Sequence, residues 1–185
     1  MGYAFNGTNP DVKWAINQLN RNVNIVDNAL NGLNSWLGNI SQGSGSVSND
    51  ASVEAAVQWA VNKATNNYIT YSQTNRNRKN PDGASFDCSS FIITAFYYAG
   101  FDVDAWYTGD MVREFTAVGF KWIEGSYWES NQLLRGDILL NITNHTQMYI
   151  GNNQDVNCGH TPASVCVHST NNYGRGWDGI LRYEG

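Results

Sequence analysis

Phe86-Asp87-Cys88-Ser89-Ser90-Phe91-Ile92-Ile93-Thr94-Ala95-Phe96-Tyr97-Tyr98-Ala99-Gly100 is the stretch on which the reading of this chain turns. A cysteine among small and polar residues stands directly before an apolar run. Phe91, Ile92, Ala95, Phe96 and Ala99 recur at helical spacing, and Gly100 supplies a helix stop. Cys88 therefore falls at or just before the first turn of a buried helix. Unsatisfied N–H groups and the positive end of the helix dipole lower a thiol's pKa there. A single cysteine is also a small buried hydrophobe, so the stretch by itself leaves nucleophile and packing residue both open.

Working outward, 185 residues make one domain, or one domain with an appendage. Hydrophobic residues at 42% and aromatic ones at 13% suffice for a packed core. A net charge of −5 argues against nucleic acid as the main partner. No apolar run reaches the length of about 18 residues that a membrane-spanning helix requires, so no membrane insertion is expected. No apolar core follows a basic start at the N-terminus, so no secretory signal is expected either. Three cysteines cannot all pair. Cys158 and Cys166 flank the turn-like Gly159-His160-Thr161-Pro162 and could be bridged across adjacent strands, with Cys88 the thiol left over.

Asn9-Pro10-Asp11 provides a helix start. After it Val12, Ile16, Leu19, Val23, Val26, Leu30, Leu33, Leu37 and Ile40 recur at alternating steps of four and three, a coiled-coil rhythm. Such a helix over residues 10–40 is about 45 Å long. It predicts a homo-oligomer or a docked helical partner, against the plainer alternative of a helix folded back on its own domain. Few complementary flanking charges, together with Gly32 and Gly38, weaken the seam. The Ser/Gly-rich segment that follows is a flexible linker. The expected organisation is thus an N-terminal helix over 1–41, a linker over 42–50 and a catalytic domain over 51–185.

In that last segment Asp50 or Ser52 caps a helix with the small apolar face Val53, Ala56, Val57, Ala60, Val61 and Ala64. Tyr68 to Tyr71 reads as a short extended piece. Arg76-Asn77-Arg78-Lys79 is the basic cluster, read as a solvated loop in preference to a contact with an anionic polymer. Thr108 is expected to cap a helix that Gly119 ends. Strand candidates follow at 121–123, 137–140, 146–150, 155–158, 165–167 and 179–183. Helices first and strands afterwards make an α+β domain with an antiparallel sheet, the Cys88 helix packed upon it.

A cysteine nucleophile needs a base and a group to orient the base. Of the three histidines, His145 opens the well-alternating strand His145-Thr146-Gln147-Met148-Tyr149-Ile150. Thr146, Met148 and Ile150 form its more apolar face, which leaves His145, with Gln147 and Tyr149, free to point out over the helix terminus. His160 and His168 open no comparable strand. Asn157, twelve residues on, lies on the next strand, where a residue that hydrogen-bonds the far nitrogen of His145 belongs. A zinc site built from the cysteines and histidines lacks paired ligands at short spacing, so no metal and no cofactor is expected.

Asp-Cys-Ser-Ser-Phe before an apolar helix, then Arg-Gly-Asp-Ile-Leu, then His-Thr-Gln-Met-Tyr-Ile-Gly-Asn resembles the NlpC-type papain-like cysteine peptidoglycan hydrolases. More narrowly it looks like the bacteriophage lysins of the pneumococcal-phage amidase type. The resemblance covers about residues 53–185. It implies a papain-like α+β domain in which Cys88 is the nucleophile, His145 the base and Asn157 the third member of the triad. It further implies Tyr71 beside the substrate groove, and Asp87 and Ser89 flanking the nucleophile, with Asp87 at polar substrate groups. The backbone N–H of Cys88 is the implied oxyanion donor. The implied partner is peptidoglycan, cut at an amide bond: N-acetylmuramoyl-L-alanine first, the bond after γ-D-glutamate as the alternative. A virion tail protein with an inactive hydrolase fold is the reading from another class. The expected location is a phage particle, or the cell wall after release from the host cytoplasm.

Overall fold

Asp50 accepts hydrogen bonds through Oδ1 from the backbone N–H groups of Ser52 (2.7 Å) and Val53 (3.2 Å), and this cap opens α1, Ala51–Ala64. The computed structural model describes residues 50–65, 69–126, 130–160, 163–169 and 176–185. The helix expected over residues 10–40 and the linker as far as residue 49 lie outside the described residues. The first of the expected elements to be seen is therefore α1, whose small residues Val53, Ala56, Val57 and Ala60 are buried together with Trp59. No helix of the described residues is long and apolar enough to cross a membrane.

Two short strands, β1 (Thr70–Tyr71) and β2 (Ser85–Phe86), pair in parallel ahead of α2, Cys88–Tyr98. Residues Cys88 to Phe96 of α2 are all buried. A helix enclosed on every side reads as apolar all round rather than as a stripe, and α2 has α1 on one side and two strands of the main sheet on another. Gly100, at φ +97°, adopts the left-handed turn that follows it. Phe96 then meets Phe101, Phe115 and Phe120 edge to face, with ring centroids 5.2 to 5.5 Å apart.

The next helix, α3, is Thr108–Thr116. Tyr107 and not Thr108 occupies its cap position, and no side chain caps it there. Asp110 in the first turn accepts the N–H of Trp106 at 3.2 Å, just ahead of the helix. Thr108 is consequently the first helical residue.

All the strands expected downstream are present: β3 (Phe120–Glu124), β4 (Ile138–Asn141), β5 (His145–Gly151), β6 (Gln154–His160), β7 (Ala163–Ser169) and β8 (Gly179–Tyr183). They form one sheet in the order β3-β8-β4-β5-β6-β7, every neighbouring pair antiparallel. Asn152 and Asn153, at φ +53° and +57°, turn β5 into β6. Two positive φ values in succession make the tight hairpin turn that suits right-twisted strands.

The sheet is covered on both faces. Ile138, Leu140, Met148, Ile150, Val156 and Leu181 join the core beneath the helices. On the other face Leu133, Leu139, Tyr149, Trp177 and Ile180 form a second cluster. The face that alternation leaves for solvent is thereby closed, with His145, Gln147 and Tyr149 only 8%, 4% and 5% exposed. Trp177 and Leu133, which close it, come from segments remote in sequence, beyond the reach of a periodicity argument.

Three further expectations change. Asn157 is in register with Cys166 and Cys158 with Val165, so Cys158 and Cys166 stand one residue out of step across the two strands. Cys158 is a buried thiol outside any disulfide and donates to the carbonyl oxygen of Phe86 at 3.3 Å. The basic cluster is no solvated loop. Arg78 donates to the carbonyl oxygens of Ala105 and Asp104 (both 2.7 Å) and stacks over Trp106, while Arg76 donates to the carbonyl oxygen of Trp106 at 2.9 Å. Arginine forks that satisfy several acceptors fix a loop as lysines do not. Finally, Arg135-Gly136-Asp137 is a structural staple. Arg135 holds both oxygens of Glu54 on α1 (2.7 and 2.9 Å), and Asp137 accepts from Arg182 on β8. Gly136, at φ +95°, leaves no room for a Cβ beside Val53.

Candidate active site

Asp87 has extended backbone and caps α2. Its Oδ1 accepts from the N–H of Ser90 (2.7 Å), and Ser90 Oγ accepts in return from the N–H of Asp87 (2.9 Å). This reciprocal capping box sets the first helical position on Cys88. Ser89 Oγ donates to Asp87 Oδ1 (3.0 Å), and Arg76 Nη1 donates to Asp87 Oδ2 (2.6 Å). Both carboxylate oxygens are thus engaged inside the protein. The pair is mostly shielded, with Asp87 only 4% exposed. Ser89 belongs to the same cap.

Cys88 is 7% exposed. Burial raises its thiol pKa above the ordinary value, and the negative charge of Asp87 raises it further. The backbone N–H groups of Thr146, Ser89 and Cys88 itself act in the opposite direction. The lowering expected from a helix terminus is therefore present but outweighed, because desolvation and the adjacent carboxylate both disfavour the thiolate. The Thr146 contact also locates the sulfur. It lies against the start of β5, at the residue next to His145.

His145 is the register partner of Asn141 across β4 and β5. Asn141 Oδ1 accepts from the N–H groups of Thr143 (3.2 Å) and Asn144 (3.0 Å), and its Nδ2 donates to the carbonyl oxygen of Gly176 (2.6 Å). One asparagine thus holds both the turn into His145 and the segment that carries Trp177. The His145 and Trp177 rings lie 6.2 Å apart, tilted by 30°. Neither Asn141 nor Trp177 was marked by the sequence. The only local trace was the Asn141-Ile142-Thr143-Asn144 turn ahead of the strand.

Tyr71, on β1, belongs to the same neighbourhood. Burial raises the pKa of its hydroxyl, followed by the charges of Cys88, Asp87 and Cys158. Asn157 on β6 is 2% exposed, and its Nδ2 donates to Gln147 Oε1 at 3.3 Å. Gln147 Nε2 in turn donates to Asp155 Oδ2 at 2.7 Å. The hydrogen bond given by Asn157 thus reaches β5 at Gln147, two residues from His145. Gln147 and Asp155 are buried polar residues that the sequence offered no reason to select.

Among the described residues no three His, Cys, Asp or Glu side chains gather as a metal would require. A cavity of about 330 Å³, lined by Asp50, Arg135, Asp137, Arg182 and Glu184 among others, contains none of Cys88, His145 and Asn157. What the arrangement around Cys88 offers chemically is a buried thiol close to backbone donors at the head of α2 and at Thr146, the residue that follows His145 on β5.

Comparison with solved structures returns the same fold at low identity. NlpC1 of Trichomonas vaginalis matches at a TM-score of 0.52 and 18% identity over 74% of this chain and 45% of its own. The P60 domain of an antigen from M. avium subspecies paratuberculosis matches at 0.52 and 20%, over 71% and 93%. The peptidoglycan hydrolase RipB of Mycobacterium tuberculosis matches at 0.51 and 17%, over 95% and 86%. This chain spans about half the length of the two Trichomonas proteins it matches. No curated protein matches it by sequence. The family model of an endolysin-like domain matches residues 46–156, more than half the chain and inclusive of Cys88 and His145. On that match, carried by an NlpC/P60-type α+β fold, the chain belongs to the endolysin-like domain family.

Proposed function

We propose that this protein is a cell-wall hydrolase that cuts an amide bond of peptidoglycan, with Cys88 as nucleophile, His145 as general base and Asn157 as the residue that orients His145. The observation that carries the reading is the setting of Cys88. Its sulfur is at the first position of a buried helix, near the N–H groups of Cys88, Ser89 and Thr146, the last of which follows His145 on β5. A thiol held neutral by its surroundings needs a base that removes the proton as the carbon–sulfur bond forms. His145 takes that proton, and the sulfur adds to the amide carbonyl. The oxyanion is received by backbone N–H groups at the head of α2, that of Cys88 among them. The imidazolium then protonates the leaving nitrogen, the carbon–nitrogen bond breaks and a thioester remains. Water, deprotonated by His145, attacks the thioester, releases the acid and restores the thiol.

Within this class we assign cleavage between the muramic acid and L-alanine, on the resemblance to phage amidases. Cleavage after γ-D-glutamate is the rival outcome. Residues 10–40 are proposed as the element of self-association or docking to a virion tail. Digestion of purified peptidoglycan followed by mass spectrometry tests both levels. Native protein should liberate new N-terminal alanine, and new diamino-acid amines would replace the amidase by an endopeptidase. Cys88→Ala should lower the release of either amine by at least about a thousandfold. Undiminished hydrolysis by that variant would remove the mechanism.

A further inference from the structure

Asp155, Gln147 and Asn157 form a buried polar file that the steps above leave unused, 1%, 4% and 2% exposed respectively. The file has a direction. Gln147 Nε2 donates to Asp155 Oδ2 at 2.7 Å, so the NH2 group of Gln147 is committed to Asp155. Gln147 Oε1 is thereby turned towards β6, where it accepts from Asn157 Nδ2 at 3.3 Å. The amide of Asn157 is then determined as well. Its NH2 group is committed to Gln147, and Oδ1 is its remaining polar atom, buried and without a hydrogen-bond partner among the described residues.

We propose that Asp155 and Gln147 are positioning residues that lock the amide of Asn157 with its carbonyl oxygen towards the imidazole of His145. The inference rests on the proposed roles of Cys88, His145 and Asn157, and it explains how an uncharged third residue can serve a base. Asparagine offers an imidazolium only the orientation of a dipole. An Oδ1 turned forward can accept a ring N–H, select one tautomer and stabilise the protonated ring. With the amide inverted, the NH2 group would oppose the same ring. A buried amide held from one side cannot invert without leaving donors and acceptors unsatisfied, at a cost that low local dielectric increases. Asp155 supplies the asymmetry and Gln147 transmits it across the strand pair. The titratable groups on the elements around His145 are Cys88, Tyr97 and Tyr98 on α2, Tyr149 on β5 itself, and Asp155, Cys158 and His160 on β6, with none on β4.

The test reverses the file. Asp155→Asn puts an amide in place of the acceptor, and the double variant Asp155→Asn with Asn157→Asp rebuilds the same hydrogen bonds running the other way. In the double variant a carboxylate at position 157 accepts from Gln147 and from the ring alike. Turnover of soluble peptidoglycan fragments and the NMR titration of the His145 ring are measured together. Asp155→Asn should lower kcat about ten- to a hundredfold with KM within about twofold, and should move the His145 titration to lower pH. The double variant should recover most of kcat and move the titration above its native position. Native kcat and native titration in Asp155→Asn would overturn the proposal, as would a double variant no better than the single one.

A measurement on unaltered protein keeps the question open to refutation should the variants fail to fold. Ring 15N shifts of neutral His145 should report one tautomer, and a near-equal mixture would overturn the locking. The tautomer readout does not depend on turnover, so it judges the file even if Cys88→Ala proves active. An inactive Cys88→Ala beside an indifferent Asp155→Asn would discard the file alone.

Discussion

The thiol of Cys88 stands between two influences that the sequence places side by side. Asp87 caps the helix, and so brings the N–H groups that favour a thiolate, but its own charge lies next to the sulfur and opposes one. Burial sides with the charge. In a His145→Ala background, alkylation of Cys88 by iodoacetamide, followed by peptide mass spectrometry, should rise only above the ordinary thiol pKa of 9.0. Asp87→Asn keeps a capping oxygen and removes the charge, so in that background the midpoint should move down. A midpoint below 9.0 with Asp87 intact would contradict the balance described. By linkage, the neutral buried thiol favours the folded state below its unfolded pKa, and that contribution disappears as pH rises through the raised folded value.

At the scale of elements, the Arg135-Gly136-Asp137 staple joins α1, β4 and β8, and its middle residue tolerates no side chain. Gly136→Ala combines a positive φ with an overlap on Val53. Backbone strain of about 1–2 kcal/mol and overpacking of about 1–3 kcal/mol together predict a loss near 3 kcal/mol. A lower urea midpoint at unchanged m-value is the expected record of it. The elements themselves were largely legible in the sequence. Helix α2 and strands β3 to β8 follow from period and punctuation, since a 3.6- or 2-residue rhythm is a property of neighbours along the chain. The cap of α3 was not, because Asp110 in the first turn and the extended backbone at Tyr107 displace Thr108 from that role. The engagement of Arg76 and Arg78 was equally hidden, since their acceptors lie on Asp87 and on residues 104–106.

In the molecule as a whole, α2 and the sheet are tied together by aromatic edges that converge on Phe96. The ring touches Phe101, Phe115 and Phe120, which come from three separate segments. Phe96→Ala should cost about 3–5 kcal/mol and lower the thermal midpoint accordingly. Cys88 shares α2 with Phe96, so activity should fall at a lower temperature in this variant, in step with unfolding. An unchanged thermal midpoint would show that the cluster contributes little to holding α2 in place.

Sequence alone determined the α+β class, the helix that begins at Cys88, the strand that begins at His145 and the hairpin that leads to Asn157. Each rests on local pattern: an apolar period closed by a glycine, an alternating strand, and the punctuation between strands. Tertiary structure decided what surrounds those residues. It closed the second face of the sheet over His145, set Cys158 out of register with Cys166, and outweighed the helix terminus with burial at Cys88. It also brought Gln147 and Asp155 into line behind Asn157. Desolvation, cross-strand register and hydrogen-bond direction depend on residues distant in the chain, and only folding brings them together around Cys88.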